Sequence, residues 1–212
     1  MAMKLYVFPV APNPTKVRLY LAEKRAAGAA IDVEEVTVSL IEGEQKEPAH
    51  LARNPFGNLP VLETGPGDFL CESLPIIEFL EDLHPNPPLI GTTPRERAGV
   101  RELERRVDLG VLIPIARIVH TTRSPLGLPP NPEVAAYFQG QLPRALDHLE
   151  QLLADGRPFL AGEQVTLADC TLAAGLQFGR FGELAVLEAH PGLRRWEERH
   201  RERSEIDGIL VV

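Results

Sequence analysis

The residues with the clearest chemical content lie between Asn54 and Leu83. There Asn-Pro-Phe-Gly-Asn-Leu-Pro-Val-Leu is followed, after a Thr-Gly-Pro-Gly-Asp turn, by Phe-Leu-Cys-Glu-Ser-Leu-Pro. Pro60 stands immediately before a short apolar strand, Val61-Leu62. A trans proline there would break pairing, whereas a cis Leu59–Pro60 bond makes a tight turn and offers the amide and carbonyl of Leu59 to an extended peptide. Ser73, followed by Pro75, opens a helix whose free N–H groups and positive dipole end favour a carboxylate. Glu72 beside it can hold an ammonium group. An amide-pairing edge, an anion site and a cation site together fit a small peptide with a free amino-acid head. Taken singly, each residue has a plainer reading: Pro60 as a turn former, Ser73 as a helix cap, Glu72 as a solvated charge.

The elements that must position these residues follow from periodicity and breakers. Lys4–Phe8 reads as a strand stopped by the prolines of residues 9–14. Thr15 to about Ala27 reads as a helix with Val17, Tyr20, Leu21 and Lys24 at helical spacing, ended by Gly28. Val33–Val38 is a second strand, and residues 39–53 form a polar loop with one helical turn near His50. The hairpin and its helix complete a β-α-β, β-β-α order, which predicts a parallel pair extended by antiparallel strands. This is a thioredoxin-like arrangement over residues 1–84. The proline-rich run His84 to Gly91 reads as part of a linker spanning residues 85–93. From residue 94 to 212 the periodicity is helical, which predicts an all-α bundle domain with a first long helix bent at Pro114. Thr166 and Asp169 read as a structural capping pair.

Composition sets the outer limits. A net charge of −8 argues against general nucleic-acid binding, and no apolar run is long enough to span a membrane. The first residues enter a strand directly, without the architecture of a signal peptide. Cys71 and Cys170 are the only cysteines, which suits a reducing, cytoplasmic setting; both read as apolar residues and not nucleophiles. There is no CxxC, HExxH, Walker loop or GxGxxG, so no metal or nucleotide site is expected. Arg194, Arg195, Arg199, Arg201 and Arg203 alternate with glutamates and read as a solvated face.

In combination these motifs resemble the glutathione S-transferase family over the whole chain. Gly43-Glu44-Gln45-Lys46 through Leu62, then Glu72-Ser73, resembles the glutathione-binding half of that family, closest to its phi class. Phe159-Leu160-Ala161-Gly162 with Thr166-Leu167-Ala168-Asp169 resembles the folding signature of its helical domain. The loop Ala11-Pro12-Asn13 resembles nu-class and yeast prion-precursor relatives. The resemblance implies a cis bond at Pro60, glutathione as co-substrate, a homodimer and a cytosolic location. It implies that Leu59 pairs with the cysteinyl part of glutathione, that Glu72 and Ser73 hold the γ-glutamyl end, and that Gln45, Lys46 and Asn58 meet the glycyl end. Asn58 departs from the lysine or glutamine of many relatives.

The departure that matters most is at the thiol. The family's usual Ser, Tyr or Cys donor falls, by register with Lys16-Val17, on Ala11, which has none. Tyr6 lies too early, inside the first strand. Asn13 and Thr15 are the remaining donors, and Asn13 matches an asparagine that meets the sulfur in the nu-like relatives. An amide donor with the helix N-terminus can stabilise a thiolate, so Asn13 ranks first and Thr15 second; Asn13 also reads as a turn former between two prolines. The second substrate would be a small hydrophobic electrophile or a disulfide, met by Ile113, Arg117, His120 and Arg123. The rival reading is a non-catalytic glutathione-binding or scaffold module, which is what the loss of a donor at position 11 would produce.

Overall fold

The computed structural model describes residues 3–212. The first part of the chain runs β1 (Met3–Val7), α1 (Pro12–Ala26), β2 (Val33–Thr37), α2 (Pro48–Leu51), β3 (Val61–Gly65), β4 (Asp68–Cys71) and α3 (Ser73–Leu83). The sheet order is β2-β1-β3-β4, with β1 parallel to β2 and the other pairs antiparallel. Leu5, Val7 and Leu62 put one face of the sheet into the main core, with Val17, Leu21, Ile76, Ile77 and Leu80 of α1 and α3. The other face buries Tyr6, Val38 and Val61. Helices α4 (Pro94–Val107), α5 (Ile113–Thr122), α6 (Pro132–Leu152), α7 (Leu167–Phe181) and α8 (Pro191–Arg201) form the second part. α7 is buried almost all round, as expected of a helix at the centre of a bundle. The fold is a thioredoxin-like α/β domain joined to an all-α helical domain.

Three local expectations need correction. α1 starts at Pro12 and not Thr15, because prolines at the first and third helical positions remove only N–H groups that a helix start leaves unpaired anyway. Ser73 is not a cap: Glu72 occupies the cap position and Ser73 is the first helical residue. The first long helix of the bundle does not simply bend at Pro114. It is interrupted by a π turn over Asp108–Leu112, spanning Gly110, whose carbonyl Pro114 cannot serve.

Long-range charge pairs tie the two parts together. Lys16 on α1, fully buried, donates to Glu104 Oε1 of α4 at 2.6 Å. Arg203 departs from the expected solvated face: its guanidinium grips the buried Glu23 of α1, one bond being 2.8 Å. Asp169 accepts the N–H of Leu160 and both the N–H and hydroxyl of Thr166, each at 2.9 Å, which confirms its structural role.

His200 carries a pH dependence. It is 3% exposed, stacked on Trp196 at 4.7 Å, and neither ring nitrogen has a partner. Burial, reinforced by Arg203 and opposed by Glu205, pushes its pKa down to about 3. The imidazole is therefore neutral when folded, while in the unfolded chain it titrates near 6.5. Its contribution is complete above pH 6.5 and is lost as pH falls toward 3, costing about 2 kcal/mol between pH 7 and pH 5. Asp169, pushed up to about 6 by burial, works in the opposite sense over the more acid part of this window. The difference between wild type and His200→Phe, which keeps the stacking, cancels that term. Urea unfolding at pH 7 and pH 5 should show a shallower loss in His200→Phe by about 2 kcal/mol; parallel losses would refute the assignment.

Candidate functional site

Of the sequence-predicted residues, Asn13 and Ser73 meet where α1 and α3 begin. Asn13, half-buried, sits in the first turn of α1, and its Oδ1 accepts the Ser73 hydroxyl at 3.3 Å. Among the first three helical positions only Asn13 retains an N–H, since Pro12 and Pro14 have none; Thr15 gives its N–H to Ala11. The expected set of helix amides therefore reduces to one. Ala11 is the cap residue and makes no side-chain cap bond. Thr15 is fully buried, and its hydroxyl donates to the Pro9 carbonyl at 2.9 Å, which commits its proton to the loop. Of the two sulfur candidates, Asn13 is the one left accessible.

The peptide-pairing edge is open. Leu59–Pro60 is cis, and Leu59 lies just outside the sheet ladder with no partner for its N–H or C=O among the described residues. Glu72 is exposed and has φ 71°, a left-handed conformation that costs a non-glycine residue on the order of 1–3 kcal/mol. Such strain is characteristic of residues held in place for a ligand. Gln45 is buried on the 3₁₀ turn Glu44–Lys46, its Nε2 3.5 Å from the Leu40 carbonyl and its Oε1 without a partner. Lys46 and Asn58 are exposed. Tyr6 faces away from α1: its hydroxyl donates to Glu63 at 2.7 Å and Arg53 lies over its ring.

One feature escaped the sequence reading because it has no periodic signal. His50 and Asn54 both meet the carbonyl of Asn58, at 3.2 and 3.1 Å. On α5, His120 approaches the Ser124 hydroxyl at 3.2 Å and lies 5.6 Å from the Phe178 ring; burial first, then Arg117, holds its pKa below the usual histidine value. Arg123 is paired with Glu183. Cys71 is half-buried, and burial first, then Glu72, raises its thiol above the ordinary cysteine value, against a nucleophilic role. Among the described residues no His, Cys, Asp and Glu cluster could hold a metal.

This fold and site define a thioredoxin-like domain with an unpaired backbone edge beside two helix N-termini, set against a helical domain. Residues 5–88 match the glutathione S-transferase N-terminal domain, and residues 102–199 match the glutathione S-transferase C-terminal domain. Glutathione S-transferase 2 of Saccharomyces cerevisiae is 33% identical over 99% of this chain and 90% of its own length. Maleylacetoacetate isomerase of Pseudomonas aeruginosa is 32% identical, over 91% and 88%. The crystal structure of a glutathione S-transferase domain-containing protein from Marinobacter aquaeolei superposes with a TM-score of 0.86 at 31% identity, over 96% of this chain and 99% of that one. The chain belongs to the glutathione S-transferase family.

Proposed function

We propose that the chain binds glutathione and activates its thiol for attack on an electrophilic carbon or on a disulfide. The observation that carries this reading is the Asn13–Ser73 hydrogen bond, which joins the thiol end of the site to its γ-glutamyl end. Leu59 pairs with the cysteinyl backbone, Glu72 with the γ-glutamyl ammonium and the start of α3 with its carboxylate; Gln45, Lys46 and Asn58 meet the glycyl carboxylate. The thiol releases its proton to solvent. The thiolate then displaces a leaving group from carbon, or attacks one sulfur of a disulfide and expels the other as a thiolate. The apolar co-substrate lies between the domains, against Ile113, Arg117 and His120; Arg123, paired with Glu183, stands at the rim. Residues 1–84 and 94–212 act as the two domains, in the cytoplasm.

A homodimer fits two surfaces. Phe56 is 83% exposed at a loop tip, and a groove of about 1260 Å³ between α4 and α6 exposes Leu109 and Tyr137. A second copy would cover both. Ala11 favours the rival reading, a binding or scaffold module without chemistry.

Thermal unfolding with and without millimolar glutathione, on a sample whose mass is read by light scattering, tests the reading. At about 100 times the dissociation constant, ligand adds about 2.7 kcal/mol, a rise of several degrees. No rise would overturn glutathione binding, and a mass of 23.4 kDa would overturn the dimer. Turnover with a chlorinated aromatic acceptor or in glutathione disulfide exchange would then exclude the module.

A further inference from the structure

The turn that presents Leu59 is organised by a residue outside the glutathione set. His50, on α2, is 2% exposed, and its Nε2 lies 3.2 Å from the carbonyl oxygen of Asn58. Because that oxygen only accepts, Nε2 carries the hydrogen and Nδ1 is left as a buried atom without a partner. The backbone carbonyl of His50 accepts the N–H of Arg53 at 2.8 Å and of Asn54 at 2.9 Å. One residue thus anchors both ends of the turn, its main chain holding Asn54 and its ring holding Asn58.

The rest of the turn is equally constrained. Asn54, 2% exposed, spans it: Oδ1 accepts the N–H of Phe56 at 3.1 Å, and Nδ2 donates to the Asn58 carbonyl at 3.1 Å. Gly57 has φ +64°, and a Cβ there would lie 2.9 Å from the carbonyl oxygen of Gln45, so the turn packs directly on the backbone of that residue. The Asn58 carbonyl belongs to the peptide unit that leads into Leu59. Fixing it from two sides fixes the plane of the Asn58–Leu59 peptide, which carries the Leu59 N–H and from which the chain turns into the Leu59 C=O. A phenyl ring would fill the same space and leave the carbonyl with one donor.

We infer that His50 is a positioning residue for the glutathione site, orienting the Leu59 backbone edge through its hydrogen bond to the Asn58 carbonyl. The inference deepens the proposed function and rests on it. No contact between His50 and glutathione is involved, so its effect is on binding through Leu59.

The test uses amide geometry. A glutamine at position 50 places its Nε2 where the imidazole Nε2 stands, while an asparagine places its amide near Nδ1, short of Asn58. The dissociation constant for glutathione is measured by calorimetry on the whole chain and on His50→Phe, His50→Asn and His50→Gln. Losing one buried hydrogen bond is expected to weaken binding about fivefold in the Phe and Asn variants. The Gln variant should stay within about twofold of wild type, because the donor is restored. Equal weakening in all three would mean that the ring only fills space, and unchanged binding in the Phe and Asn variants would mean that the contact does not matter; either overturns the inference. If the Phe variant does not fold, the Gln–Asn pair gives the same contrast, since both bury an amide. A wild-type chain that binds no glutathione would instead refute the proposed function, which keeps the two failures distinct.

Discussion

Asn13→Ala should lower turnover of glutathione with an electrophile on the order of 10–100-fold at neutral pH, while the dissociation constant for glutathione changes far less. The side chain is aimed by its Oδ1, which accepts from Ser73, leaving the N–H₂ end as the donor for sulfur. The backbone N–H of Asn13 survives the substitution, which puts the effect below that of removing a whole anion hole. An amide acts on sulfur by favouring thiolate over thiol, so the variant's deficit should shrink as pH rises and solvent alone ionises the thiol. A deficit that is constant with pH, or an unchanged turnover number, would remove Asn13 from the catalytic role. Thr15→Val provides the contrast. Its hydroxyl serves Pro9, so the expected loss is in stability, about 1–3 kcal/mol for a stranded carbonyl, with turnover preserved in the folded fraction.

What the amino-acid sequence revealed and what it hid divide along a physical line. Strand and helix order was legible because period, proline and glycine act locally: the β-α-β, β-β-α order and the hairpin depend on neighbours within a few residues. The cis turn at Leu59-Pro60 and the helix start beside Glu72 were legible for the same reason, since both are local backbone features. The interactions that lock this frame together are between charges far apart in sequence, and a charged residue on a helix carries no mark of its partner. Lys24 was read only as sharing helical spacing with Val17, Tyr20 and Leu21, and nothing named Glu81 as its counter-ion. Arg203 looked like its solvated neighbours, although it reaches Glu23. Thr15 was overrated because its acceptor is a loop carbonyl, a contact without any spacing signature. His50 was taken only as part of a helical turn, because its target is a main-chain oxygen and not a side chain.

Lys24→Met should cost about 3–5 kcal/mol, a large share of the ~5–15 kcal/mol that separates a typical native domain from its unfolded chain. Lys24 is fully buried, its ammonium 2.6 Å from Glu81 Oε2 and 2.7 Å from the carbonyl of His84, with the Pro87 carbonyl as its third acceptor. Burial lowers its pKa, and the bond to Glu81 opposes that shift. Glu81 is as heavily used: Tyr20 donates to Oε2 at 2.7 Å, and the N–H groups of Leu89 and Ile90 reach Oε1 at 2.9 and 3.4 Å. Between them the two side chains take the carbonyls of His84 and Pro87 and the N–H groups of Leu89 and Ile90, in the segment between α3 and α4. Methionine fills the volume but strands a buried carboxylate and two carbonyls. The double variant Lys24→Met with Glu81→Met removes the stranded charge and should recover part of the loss. Recovery should stay incomplete, because the linker's N–H and C=O groups would still lack partners. Urea unfolding of the two single variants and the double variant measures this coupling directly. A loss below about 1 kcal/mol in Lys24→Met, the level of an exposed ion pair, would mean that the linker is held by packing of Leu89 and Ile90 and not by the buried pair.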